Sequence, residues 1–202
     1  MTSRRRFVQA AGGGLLLAGL GNLAHAVSAP TRRETRSILL VAATKLRDPN
    51  FGETVVLVTR HGGDAPLGVI LNRPLGRRLE TDLDLATDDE RLELNFGGPV
   101  MPQQLLFLYQ DKTNPGNSAL DLGDELFLGS DTSLLKRLLQ RKPIVRRLRL
   151  FAGYAGWAPG QLEHEISRGD WLLAEANPDI AFTRDTGTLW RTMIEKASRR
   201  AI

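Results

Sequence analysis

Two neighbouring motifs carry most of the side chains that could contact a ligand. The first is Gly153–Trp157 (GYAGW), and the second, Gly160–Glu165 (GQLEHE), follows shortly after it. Glycine lets a backbone turn without a Cβ clash, so we expect a strand-to-helix transition here, and free N–H groups at a helix start attract anions. The motifs predict a small pocket for an anionic ligand, walled by Tyr154 and Trp157, with Gln161 as a further contact. The alternative is a tight turn in which Trp157 fills the core and Gln161 bonds loop backbone.

Arg73 is a second candidate contact for an anion. It lies in Asn72-Arg73-Pro74, directly after an apolar segment, and a guanidinium can bind a carboxylate through two parallel hydrogen bonds. Asn72 beside it is a further candidate. The internal alternative is an ion pair with Glu163 or Glu165, which differ by two positions and therefore face different sides of a helix. We expect Glu165 to be the partner, because its spacing places it on the apolar side.

His61 is the candidate for acid–base chemistry, since beyond residue 26 the chain has only one other histidine. General acid–base catalysis needs a partner within hydrogen-bond reach. A hydrolase-like enzyme would use His61 with Asn72, Arg73 or Glu165, provided that the fold brings them into one cleft. The alternative for His61 is a turn or surface position. The catalytic residues, if the protein has any, stay unknown at this stage.

The sequence predicts no metal site and no cofactor. A zinc-protease helix carries two histidines, and His164-Glu165 supplies one. The acidic stretch 81–90 lacks the spacing and the glycine of a calcium loop, so we expect a solvated acidic face there. The chain has no cysteine, which excludes disulfides, thiolate ligands and thiol nucleophiles.

A basic stretch, residues 136–149, holds seven lysines and arginines and no acid. Strand alternation places Arg147 and Arg149 on one face and Arg146 on the other. The stretch can meet an anionic lipid surface or polymer. The alternative is a balancing contact with the acidic stretch 81–90.

The first 26 residues have the features of a twin-arginine export leader. Arg4, Arg5 and Arg6 precede an apolar run over residues 10–20, and Ala24-His25-Ala26 offers small residues for a signal peptidase. The apolar run is shorter than the roughly 20 residues of a spanning helix. We therefore expect a protein that works in the periplasm or is otherwise exported; a misassigned start would leave it in the cytoplasm.

Removal of the leader changes the charge balance. Of 202 residues, 176 stay, and without Arg4–Arg6 the 27 lysines and arginines become 24, against 23 acidic residues. A net charge near zero argues against general nucleic-acid binding. We expect no membrane span in the processed chain. The partner would be a small anionic ligand or a protein.

The elements that must position these residues follow from hydrophobic periodicity. We expect a flexible tether at 27–36 and one domain at 37–202, with a hairpin turn at 61–64 and a short helix plus loop at 79–94. Strands are predicted at 37–44, 54–61, 66–71, 105–109, 126–128, 145–151 and 171–174, and helices at 131–140, 161–168 and 188–198. Strands dominate without a regular βαβ alternation, so the predicted fold is α+β, a single domain with a mixed, largely antiparallel sheet and a few packed helices.

Several segments together resemble the YqgE/AlgH family of bacterial proteins. They are the two motifs above with Trp171, Asn72-Arg73-Pro74-Leu75, Gly97-Gly98-Pro99-Val100, and Asp48-Pro49-Asn50-Phe51. The resemblance runs in order from about residue 37 to the C-terminus. It implies a single α+β domain and no known activity, cofactor or catalytic residue. A role in regulating transcription has been suggested for the family, whose members usually look cytoplasmic, and the leader departs from that pattern.

Three functions are therefore open from the sequence. The first is an exported, non-catalytic binding or regulatory domain with a pocket near the GYAGW and GQLE segments. The second is a hydrolase-like enzyme that uses His61 with Arg73 or Glu165. The third is a transcriptional regulator, as suggested for the family, which requires residence in the cytoplasm.

Overall fold

The computed structural model describes residues 37–59, 65–81 and 89–200, which form a single domain. The strands in these segments are β1 (Ile38–Ala42), β2 (Val55–Thr59), β3 (Leu67–Ile70), β4 (Pro74–Arg78), β5 (Glu93–Phe96), β6 (Val100–Gln110), β7 (Ala119–Gly123), β8 (Leu126–Gly129), β9 (Leu148–Gly156) and β10 (Trp171–Glu175). The helices are α1 (Thr132–Gln140), α2 (Gln161–Ser167), α3 (Pro178–Ala181) and α4 (Thr186–Arg200), with 3-10 turns at Glu90–Leu92 and Gly116–Ser118.

The strands form one curled sheet whose neighbours are mostly antiparallel. Its order is β10-β1-β2-β3-β9-β6-β8-β7, with β4 paired to β5 and β5 running parallel to β9. The N–H of Ser37, just before β1, donates to the carbonyl of Leu122 in β7 at 3.2 Å, so the curl brings β1 to the far edge of the sheet. The α+β class predicted from the sequence is confirmed, with sheet dominating over helix.

The core lies on both faces of the sheet. In β1, Leu39 and Val41 pack in one buried cluster, while Leu40 and Ala42 pack in another, since successive side chains of a strand point to opposite faces. Because both faces are covered, the strand is apolar throughout rather than alternating.

Helix α1 closes a third buried cluster and follows the sequence prediction closely. Its four leucines, Leu134, Leu135, Leu138 and Leu139, are buried there. The Asp131 carboxylate caps the helix by accepting the N–H of Ser133 at 2.8 Å, which satisfies one of the unpaired N–H groups of the first turn.

Strand β9 differs from the strand predicted at 145–151. It begins at Leu148 and continues to Gly156, so most of GYAGW is strand and not turn. Glycine is depleted in strands, which hid this extension. Here the glycines allow two backbones to touch: a Cβ on Gly98 would lie 2.3 Å from the carbonyl of Tyr154, and one on Gly153 would lie 2.6 Å from the carbonyl oxygen of Gly98.

The remaining sequence predictions have mixed outcomes. The helices at 161–168 and 188–198 and most of the other predicted strands are present with small shifts of their ends. The exception is β6, which begins at Val100 and not at 105, and residues 60 and 61 of the strand predicted at 54–61 lie outside the described residues. Strands β4, β5 and β7 and helix α3 were not predicted. The turn at 61–64 lies outside the described residues, as does 82–88 within the predicted helix and loop at 79–94.

Candidate functional site

The family-like motifs meet around the turn that precedes β2. The Asp48 carboxylate folds this turn by accepting the N–H groups of Asn50 and Phe51 at 2.8 and 3.1 Å. The Phe51 ring then packs on two indoles, with its centroid 6.2 Å from that of Trp157 and 5.8 Å from that of Trp171. We call Phe51, Trp157, Gln161, Glu165 and Trp171 the motif cluster.

Glu165 is the polar centre of the motif cluster. Its Oε2 accepts the indole N–H groups of Trp157 and Trp171, both at 2.9 Å, and its Oε1 accepts Nε2 of Gln161 at 2.8 Å. Gln161 in turn accepts the backbone N–H of Ala158 at 3.0 Å through its Oε1. These bonds fasten α2 to the ends of β9 and β10. The structural alternative for Trp157 and Gln161 is therefore the arrangement observed.

The predicted ion pair between Arg73 and Glu165 is wrong. Arg73 is exposed and donates from Nη2 to the carbonyl of Gly52 at 2.6 Å. Glu165 has its lone pairs directed to the buried indoles instead, which sequence spacing alone could not indicate. Asn72 is also part of the backbone framework, since its Oδ1 accepts the N–H of Val55 and its Nδ2 donates to the carbonyl of Glu53, both at 2.9 Å.

The other candidate residues lie apart from the motif cluster. Tyr154 packs against the cluster of Leu39 and Val41, while Trp157 belongs to the cluster of Leu40 and Ala42. The hydroxyl of Tyr154 contacts the sulfur of the exposed Met101 at 3.9 Å. The structure thus does not bring the two predicted pocket walls together. His61 lies outside the described residues.

A cleft of about 710 Å³ lies on another part of the domain. Its walls are β5 with the preceding 3-10 turn, the beginning of β9, and the segment from α3 to the start of α4. Nine charged residues line it, namely the arginines Arg91, Arg146, Arg147, Arg149 and Arg184 and the acids Asp89, Glu90, Glu93 and Asp179. We call it the arginine cleft.

Three of the acids are held in ion pairs with three of the arginines. Asp89 contacts Arg91 at 2.5 Å, and Asp179 contacts Arg147 at 2.6 Å. Glu90 binds Arg184 through an Nη1 hydrogen bond of 2.7 Å. The side-chain hydrogen bond from Arg91 holds the pKa of Asp89 below its usual range. In the described part of the chain, Arg146 and Arg149 have no such carboxylate partner.

Arg149 is a partly buried cation of the cleft whose hydrogen bonds all go to uncharged groups. Its Nη1 donates to the carbonyl of Ala181 at 3.0 Å, and its Nη2 donates to the carbonyl of Leu71 at 2.7 Å and to Oδ1 of Asn95 at 2.9 Å. Burial lowers the pKa of Arg149 to about 10, so the guanidinium is still charged at neutral pH. All three acceptors are neutral, and the nearby Glu93 carboxylate acts on this guanidinium as a charge that partly offsets the effect of burial on its pKa.

Part of this cleft was visible in the sequence. The basic stretch 136–149 contains three of its arginines. Arg147, just before β9, and Arg149, within β9, lie on the same side as predicted, since both reach the α3 segment. The sequence also offered a contact between this basic stretch and the acidic stretch 81–90. The described acids of the acidic stretch, Asp89 and Glu90, instead form ion pairs with Arg91 and Arg184. Arg91 lies two positions from Asp89, whereas Arg184 comes from a distant segment, and no pattern in the sequence marked either arginine.

Among the residues that the structure describes, no three His, Cys, Asp or Glu side chains are arranged to hold a metal ion. Within the same residues, no helix has the length and apolar character needed to cross a membrane.

Comparison with known proteins gives consistent matches over the domain. A family model described as AlgH-like matches residues 39–201. A UPF0301 protein of Methylococcus capsulatus is 36% identical over 171 residues, which cover 81% of this chain and 92% of that protein. One from Afipia carboxidovorans is 32% identical over 191 residues, or 88% and 90% of the two chains.

Two solved structures share the fold. The solution structure of the AlgH protein from Pseudomonas aeruginosa is similar with a TM-score of 0.64 and 28% identity, covering 87% of this chain and 92% of that one. A crystal structure of a Corynebacterium diphtheriae protein gives a TM-score of 0.62 and 26% identity, covering 80% and 86%.

Proposed function

This chain belongs to the AlgH-like family, and we propose that it is an exported, non-catalytic domain that binds a small anionic ligand in the arginine cleft. The observation that carries the proposal is Arg149. Its guanidinium is partly buried and lines the cleft, and among the described residues no carboxylate forms an ion pair with it, since Glu93 acts on it only as a nearby charge. A buried charge is normally paired, because removing an ion from water is costly. An anionic ligand would supply the missing partner.

The charge and the size of the cleft support the same ligand class. Five arginines face four acids, so the lining keeps one uncompensated positive charge. The volume of about 710 Å³ falls within the range of roughly 300–1,000 Å³ that is typical of small-molecule sites. Arg146 is exposed at this cleft and is the cation most available to an incoming anion.

The non-catalytic part of the proposal is supported by the bonding in the motif cluster. Glu165 is the carboxylate that an acid–base mechanism would use, and it already accepts hydrogen bonds from Trp157, Trp171 and Gln161. If Glu165 took up a proton from a substrate, its carboxylate would become a weaker acceptor for the two buried indole N–H groups. The arrangement therefore favours a role in holding α2 in place.

Export is proposed from the leader at residues 1–26, which lies outside the described residues. The test is replacement of Arg4 and Arg5 by Lys, followed by cell fractionation. We expect the wild-type protein to be processed and to be recovered from the periplasm, and the variant to stay unprocessed. Processed variant in the periplasm would exclude the twin-arginine route.

Ligand binding is tested by calorimetric titration with inorganic phosphate and citrate at low ionic strength. The diagnostic variant is Arg146→Gln, and the matched control is Arg73→Gln, which also removes one exposed guanidinium but lies outside the cleft. We expect Arg146→Gln to weaken binding about tenfold, the equivalent of one charge-assisted hydrogen bond, with no change for Arg73→Gln. Loss of binding in Arg73→Gln alone would move the anion site to the surroundings of Arg73 and overturn the proposal.

A further inference from the structure

The bonding of the cleft arginines indicates which anion fits. Resting on the proposed function, we propose that the ligand is a phosphate monoester and that Asp179 occupies its place on Arg147 in the free protein.

Asp179 is a displaceable partner. Arg147 donates to Oδ1 of Asp179 from Nη2 at 2.6 Å and to Oε1 of Gln110 from Nη1 at 2.9 Å. The Asp179 side chain is 85% exposed, and that of Arg147 is 42% exposed. A carboxylate this well solvated loses little by returning to water, because exposed ion pairs are nearly balanced by hydration. Gln110 would still hold the guanidinium in position for a new anion.

When Asp179 is displaced, the cleft has the positive charge that balances a dianion. Asp89 and Glu90 stay with Arg91 and Arg184. The three arginines contributed by the start of β9 and the residues before it then face Glu93 alone, which leaves two positive charges. A phosphate monoester carries about −1.5 to −2 near neutral pH, whereas a simple carboxylate carries one negative charge.

The free N–H groups of Arg149 also favour a tetrahedral anion. Each fork of a guanidinium includes an Nη2 hydrogen, and Nη2 of Arg149 already donates to Leu71 and Asn95. Neither fork is open to a planar carboxylate in the two-bond geometry. Among the described residues, the hydrogen bonds of Arg149 leave one N–H on Nε and one on Nη1, which point in different directions. Phosphate oxygens, also spread in several directions, can accept such separate donors.

The cleft has room for more than a phosphate group. Ile144 lines it and is 60% exposed, an unusual exposure for a large apolar side chain. Phe182 also lines the cleft, with Cζ of Arg147 over its ring at 5.9 Å from the centroid. An ester with an apolar or aromatic body would therefore gain contact area that inorganic phosphate lacks.

The experiment is calorimetric titration with phenyl phosphate, inorganic phosphate and benzoate, using wild type, Asp179→Asn and Glu93→Gln. Both variants remove one negative charge from the same cleft, but only Asp179→Asn releases a guanidinium. We expect wild type to bind phenyl phosphate more tightly than inorganic phosphate, and both more tightly than benzoate. Asp179→Asn should tighten phenyl phosphate binding about fivefold to tenfold, and Glu93→Gln less than about threefold, since screened charges act weakly without contact. Asp179→Ser repeats the test with a different side chain.

Two results would overturn the inference. Equal gains in Asp179→Asn and Glu93→Gln would show a field effect without competition for Arg147, and benzoate bound as tightly as phenyl phosphate would exclude phosphate selectivity. Either result leaves anion binding itself intact. If wild type binds none of the anions, the proposed function has failed, and the inference fails with it.

Discussion

The hydrogen bonds of Glu165 give the sharpest test of how the family-like motifs act. Replacing Glu165 by Gln keeps the size of the side chain but puts an NH₂ group where one carboxylate oxygen was. The two indole N–H groups of Trp157 and Trp171 share Oε2 at 2.9 Å, and both rings are at least 95% buried. With the amide oxygen in the place of Oε2, both indole N–H groups keep an acceptor, but that acceptor no longer carries a charge. The new NH₂ group then faces Nε2 of Gln161, and that hydrogen bond is lost.

The magnitude follows from the loss of one hydrogen bond and of the charge on the acceptor shared by the indoles, together about 1–3 kcal/mol. We expect Glu165→Gln to lower the free energy of unfolding by about 1–3 kcal/mol, and Glu165→Ala by more, since it removes every acceptor. The assay is urea denaturation, with unfolding monitored by circular dichroism. Tryptophan fluorescence is less suitable, because the substitution changes the surroundings of Trp157 and Trp171 themselves. Glu163→Gln is the matched control on α2, since that exposed residue makes none of these contacts, and its effect should stay within about 0.5 kcal/mol.

A double-mutant cycle separates the observed partners of Glu165 from the expected one. Glu165→Gln combined with Trp157→Phe should show a coupling energy of about 0.5–3 kcal/mol, whereas Glu165→Gln combined with Arg73→Gln should be additive within about 0.5 kcal/mol. Equal costs for Glu165→Gln and Glu163→Gln, or coupling to Arg73 in place of Trp157, would refute the reasoning.

Two further predictions concern the sheet. The hydroxyl of Tyr109 is buried without a hydrogen-bond partner among the described residues, so Tyr109→Phe should raise the unfolding free energy by about 1 kcal/mol in urea denaturation; a loss of stability would mean that the hydroxyl is bonded. Burial raises the pKa of Tyr109 to about 12, so the unfolded state loses the phenolic proton at a lower pH than the folded state does. Titration of Tyr109 therefore has no effect on stability below about pH 10 and lowers it as the pH rises from 10 to 12, and the phenylalanine variant should lose less stability over that interval. Gly98→Ala places a Cβ 2.3 Å from the Tyr154 carbonyl and should cost at least about 3 kcal/mol, while Gly116→Ala, with an open surrounding and φ of +64°, should cost about 1 kcal/mol; similar melting temperatures for the two variants would contradict the close approach.

Local patterns predicted the elements that their own residues determine. The leucines of α1 and the cap at Asp131 are enough to specify that helix, and the apolar runs of β1 and β2 specify buried strands. Strand β4 was missed because all five of its residues are exposed, so it has no buried face to produce alternation. It forms because β5 supplies hydrogen-bond partners from a distant part of the chain.

The candidate site was predictable only in part for the same reason. Strand alternation placed Arg147 and Arg149 together, and the structure confirms this. The residues that make their surroundings a cleft, such as Asn95 and Asp179, come from segments more than 30 positions away. The partner of Arg73 was predicted wrongly because two acceptors competed for it: a nearby backbone carbonyl was available at Gly52, and Glu165 was already occupied by indoles.

The central claim, that the arginine cleft binds an anion, is tested most directly by nitrogen–proton correlation NMR during titration with phenyl phosphate. The account predicts saturable shifts of the side-chain signals of Arg146, Arg147 and Arg149 and of backbone amides in β5 and in 179–184, with the indole signals of Trp157 and Trp171 unchanged. Shifts confined to those indoles and to α2, or no saturable shift at all, would contradict it.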